Sequence, residues 1–123
     1  MKTSTCAIVA TSISLLSSAA YAQAGYKKSI PDSLAKAAKI SEATAAATAQ
    51  KRVPKGTIQA VELERENKKL IYSYELKVPG RKGVEEVNVD AMTGKVLSAE
   101  HESPAAEKKE KEKDKAKSPV KKP

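Results

Sequence analysis

At 123 residues, 40% of them hydrophobic, and with a formal net charge of +8, the chain has room for one small core. It has no Phe, no Trp, one Cys and one His. That inventory excludes a cysteine framework and leaves catalysis by acid–base or nucleophilic side chains poorly supplied.

Met1-Lys2 begins a short positive region, Ala7 to Leu16 is apolar, and Ala20-Tyr21-Ala22 puts small residues where a signal peptidase reads. Residues 1–22 are expected to be a secretory signal peptide, cut after Ala22, in a periplasmic or secreted protein. The apolar stretch is short of the ~20 residues a membrane span needs. Cys6 lies within the signal, so the mature chain has no cysteine and holds its core by packing alone.

Residues 23–39 read as a polar lead in which Ile30-Pro31-Asp32-Ser33-Leu34 opens a short helical turn. Ser41 is a good N-cap and Glu42 suits the positive end of a helix dipole. The alanines from Ala43 to Ala49 favour helix, Lys51 and Arg52 suit its C-terminus, and Val53-Pro54-Lys55-Gly56 ends it. Ile40, Ala43, Ala47 and Gln50 follow helical spacing, which predicts a small apolar face.

Strands follow. Thr57 to Glu66 carries Ile58, Val61 and Leu63, whose phase slips and so predicts a bulge near Ala60. Asn67-Lys68 is a two-residue turn candidate. Leu70, Tyr72, Tyr74, Leu76 and Val78 alternate cleanly. After the Pro79-Gly80-Arg81-Lys82-Gly83 connection come Val84 to Asp90 and Lys95 to Ala99. The expected fold is α+β: one main helix packed on a three- to four-stranded antiparallel β-meander. Residues 103–123 alternate Lys and Glu and bury almost nothing, so a disordered tail is expected, with transient helix at most.

Two segments resist a catalytic reading. His101 stands beside Glu100 and Glu102 without further ligands at metal spacing, which makes it a surface histidine. Gly80-Arg81-Lys82-Gly83 precedes a strand, whereas a phosphate cradle precedes a helix. No catalytic, cofactor or metal site is expected.

Strand alternation gives a sharper expectation. If Val61, Leu63, Tyr72, Tyr74, Leu76, Val87 and Val89 face the helix, then Glu62, Glu64, Glu75 and Glu86 face outward. That face is either a solvated sheet surface or a docking face for a cationic partner or for the chain's own lysine tail. The tail has eight Lys against four acidic residues, so it either keeps the chain soluble or attracts anionic envelope polymers. It has no aromatic and no Arg with which to read bases in a nucleic acid.

Ile40-Ser41-Glu42-Ala43, Val61-Glu62-Leu63-Glu64, Tyr72-Ser73-Tyr74-Glu75-Leu76 and Glu86-Val87-Asn88-Val89-Asp90-Ala91-Met92-Thr93-Gly94-Lys95-Val96 together resemble the PepSY domain, over residues 40–102. The family often has Asp-Gly where this chain has Asn67-Lys68. The resemblance implies a non-catalytic extracytoplasmic module that restrains or regulates a secreted or periplasmic peptidase. It carries over a structural turn at Asp90, Thr93 and Gly94, and no active site. The competing expectation is an envelope-associated protein held to anionic polymers by its tail.

Overall fold

The computed structural model describes residues 25–117, so the signal-peptide expectation over residues 1–22 lies outside the described residues. The elements are β1 (Lys27–Ser29), α1 (Asp32–Ala35), α2 (Glu42–Arg52), β2 (Thr57–Glu66), β3 (Lys69–Lys77), β4 (Val84–Asp90), β5 (Val96–Glu102) and α3 (Pro104–Lys117). The class is α+β, with five strands in the order β1-β2-β3-β4-β5.

The expected three- to four-stranded antiparallel meander is corrected in two respects. The sheet has a fifth strand, and it is mixed. β1 runs parallel to β2, with Lys27 opposite Ala60 and Ser29 opposite Glu62. Parallel neighbours need a long crossover, and α1 and α2 supply it. All three β1 residues are exposed, so no buried alternation marks the strand in the sequence.

The expectation of one main helix is also corrected. α3 is 14 residues long, against 11 for α2, and occupies Pro104–Lys117 of the tail expected to be disordered, whose remainder, residues 118–123, lies outside the described residues. Its local signals are ordinary ones. Ser103 caps it, its Oγ accepting from the Ala106 amide at 3.4 Å, and Pro104 occupies the first helical position. Ala, Glu and Lys are strong helix formers, and Glu107 pairs with Lys111 one turn on.

β2, β3 and β4 form a meander. The β2–β3 register shifts between Ile58 and Ala60, where the phase slip in the sequence placed a bulge. Asn67 and Lys68 both take positive φ, 47° and 67°, the geometry of a tight hairpin turn. The core joins Val61, Leu63, Leu70, Tyr72, Tyr74, Leu76, Val87 and Val89 of the sheet to Ala45, Ala49 and Ala91.

α2 begins as its sequence predicts, with the Ser41 Oγ accepting from the Thr44 amide at 3.2 Å. Its buried residues differ from the predicted face. Ala45 and Ala49 are buried, whereas Ala43 and Ala47 are exposed. An alanine run has no large side chain to fix its rotation, so polar anchors set it. The Tyr72 hydroxyl donates to the Ile40 carbonyl at 2.9 Å, and the Tyr74 hydroxyl donates to the Glu42 carbonyl at 3.0 Å.

Candidate functional site

The closing turn is built around one carboxylate. Asp90 Oδ1 accepts from the Met92 amide at 2.8 Å and the Thr93 amide at 3.1 Å. The Gly94 amide returns to the Asp90 carbonyl at 2.8 Å, and the Asp90 amide reaches the Lys95 carbonyl, also at 2.8 Å. Gly94 has φ 76°, which a side chain would strain. The next carbonyl, Ala91, accepts from the amides of Lys39 and Ile40, both at 2.9 Å. The turn thus ties the β4–β5 connection to the segment that leads into α2.

Beside this turn, β5 is the last strand of the sheet. Met92, Val96 and Leu97, at the turn and the start of β5, are the exposed large hydrophobic residues among the described residues. β5 therefore offers unpaired backbone groups next to a small apolar patch.

The opposite side of the sheet from α2 is acidic. Glu75 stands opposite Glu86, and Glu86 stands opposite Glu100, so like charges adjoin across three strands. Glu62 and Glu64 share that face on β2, and α3 lies over it. The groove between α3 and the sheet is lined by Glu62, Glu64, Glu75 and Glu86 from the strands and by Glu107, Glu110, Lys111 and Asp114 from the helix. The structure brings these four sheet glutamates into one surface. Lys111 Nζ is 3.8 Å from Glu75.

Burial and crowding perturb this surface. Burial is the main cause that pushes the Glu64 carboxyl up to about 7, followed by the charges of Glu62, Glu66, Asp114 and Glu86. Glu62 also rises, first through burial and then through Asp114 and Glu110. Burial, then a hydrogen bond with Glu86 and the charge of Glu110, pushes Glu102 up to about 7. Carboxylate oxygens of Glu86, Glu102 and Glu110 lie within 4.8 Å of one another. Three oxygens fall short of the six to eight that calcium takes. Sequence reasoning missed Glu102 because the last strand was expected to end at Ala99, and Glu110 because it falls in the tail expected to be disordered.

His101 sits at the rim, its Nδ1 2.8 Å from Glu85, and the same carboxylate pairs with Arg81 at 2.7 Å.

Residues 39–100 match the family model for the PepSY domain, described as the peptidase propeptide and YPEB domain. The chain belongs to the PepSY family. The match runs from the lead into α2 through most of β5, so β1, α1 and α3 lie outside it. Comparison with curated proteins gives no match, and neither does comparison with solved structures. PepSY domains are generally non-catalytic, propeptide-like modules, typically found in exported proteins. No helix among the described residues is long and apolar enough to cross a membrane.

Proposed function

We propose that the protein is an exported, non-catalytic binding module that restrains or regulates a secreted or periplasmic peptidase. Family membership supports the regulatory role. The observation that carries the mode of binding is the outer position of β5 beside exposed Met92, Val96 and Leu97. An extended segment of a peptidase adds to such an edge through backbone hydrogen bonds, and the apolar patch supplies side-chain contacts. The edge gives affinity without any catalytic group.

A binding titration of the full chain against a candidate secreted peptidase tests this reading. Leu97→Lys places a charge on the patch while leaving the core intact. The reading requires saturable inhibition that survives high salt and weakens at least ~10-fold in Leu97→Lys. Inhibition unaffected by that substitution contradicts the edge as the binding surface.

A second reading rests on a different observation. α3 leaves Lys108, Lys109, Lys113 and Lys115 exposed, away from the groove. That lysine surface fits an anionic envelope polymer through screened charge. Binding of this kind collapses with salt, which separates it from the first reading.

A further inference from the structure

We propose that α3 is a proton-gated cover of the outer sheet face, docked when the carboxyl groups between helix and sheet hold protons and released about Ser103 when they lose them. The inference is independent of the peptidase reading, since α3 lies outside the residues matched to the family.

The charges facing each other argue for a gate. Glu107, Glu110, Lys111 and Asp114 recur at the spacing of one helix face, and that face lies toward the sheet. It brings three acids and one lysine against a surface that is already acidic. β2 presents Glu62, Glu64 and Glu66, with Arg65 at the rim. β3 presents Glu75, β4 presents Glu86, and β5 presents Glu100 and Glu102. Lys27 of β1 offsets Glu62 in part. Lys111 is the cation that α3 brings into the groove, and it is divided between Glu107 of its own helix and Glu75 of the sheet.

Full ionisation therefore opposes docking. The cluster of Glu86, Glu102 and Glu110 draws one carboxyl from each of β4, β5 and α3 to within 4.8 Å. Within this cluster Glu102 is the group pushed up to about 7, first by burial and then by its neighbours Glu86 and Glu110. An ionised carboxylate only accepts, so three of them this close offer one another no donor unless one carries a proton. Like charges this close disfavour full ionisation while α3 is in place.

The direction of the linkage follows. Glu64 and Glu102 are pushed up to about 7 first by burial, and Asp114 and Glu110 of the helix add to the rise, so both groups bind protons more tightly with α3 in place. Docking takes up protons. It is fully favoured below the ordinary carboxyl value of 4.5 and weakens as the pH rises through about 7. Ser103 is the natural pivot. It joins β5 directly to α3 and caps the helix, so the helix keeps its first turn when it leaves the sheet.

Amide NMR relaxation on the full chain between pH 5 and pH 8.5 tests the gate. Amides of Glu107 to Lys115 should tumble with the sheet at pH 5 and become fast at pH 8.5, with a midpoint near 7. The docking constant should fall at least ~10-fold over that range, a tenfold change matching one unit between the pKa values of docked and free helix. Glu102→Gln combined with Glu110→Gln replaces two ionisable groups by neutral donors at exposed or half-exposed positions, so the fold is retained. In that variant α3 should stay docked at pH 8.5. An α3 equally rigid at both pH values, equally mobile at both, or equally pH-dependent in the double variant would overturn the proposal.

Discussion

The Tyr74 side chain crosses the core from β3 and donates its hydroxyl to the backbone carbonyl of Glu42 at 3.0 Å, with the Glu42 carboxylate a further 3.2 Å acceptor. Tyr74 is fully buried. Glu42 also accepts from the Tyr26 hydroxyl and from Lys28 Nζ at 2.9 Å. One acidic residue at the start of α2 thus anchors both the central strand and β1. Tyr74→Phe keeps the ring and removes these bonds. It should destabilise the fold by about 1–2 kcal/mol, measured as a lower denaturation midpoint at unchanged slope.

The same tyrosines set an alkaline limit. Burial, then the Glu42 charge, raises the Tyr74 hydroxyl well above its ordinary 10.0; burial and a hydrogen bond with Glu42 raise Tyr26. The unfolded chain loses these protons first. Stability is therefore intact below about pH 10 and falls as the pH climbs above it. Thermal melts from pH 8 to 11.5 should show that fall, and Tyr74→Phe should flatten it.

Carboxyl groups give the opposite end of the profile. Glu64 and Glu102 are raised to about 7, so ionising them costs more in the folded chain than in the unfolded one. Stability should rise as the pH is lowered from about 7 toward 4.5, the ordinary carboxyl value. Glu64→Gln should remove part of the gain. A melt temperature flat between pH 7.5 and pH 5 would contradict these shifts.

The Asp90 turn should be sensitive to small changes. Asp90→Ala leaves the Met92 and Thr93 amides without their acceptor and should cost about 1–3 kcal/mol. Gly94→Ala finds room, since its Cβ would meet Ile40 at 3.6 Å, but its φ of 76° is strained for a side chain. About 1–2 kcal/mol is expected there. Gly83→Ala should be worse, because with φ at 78° its Cβ would overlap the Glu102 carbonyl oxygen. Urea denaturation of the three variants checks this order.

Elements with a strong local signal were legible in the sequence. Alternation at Leu70, Tyr72, Tyr74 and Leu76 marks β3, Ser41 marks the start of α2, and the slip after Ile58 marks the bulge. The rotation of α2 was not legible, because alanines carry no phase and two tyrosine hydroxyls from another element decide it. β1 was hidden because its three residues are exposed and join the sheet through backbone pairing with β2. α3 was hidden by composition, which reads as disorder although Ser103 and Pro104 carry ordinary start signals. The outward set Glu62, Glu64, Glu75 and Glu86 followed from strand parity, and its enlargement by Glu102 and Glu110 depended on α3.

The most direct test of the regulatory role is a cross-linking capture from envelope extract with the chain starting at Gln23, at low and high salt, with peptidase activity assayed in the captured fraction. The account predicts a peptidase retained at high salt, inhibited by the bound chain, and released by Leu97→Lys. Capture of anionic polymer alone, lost as salt is raised, would contradict it.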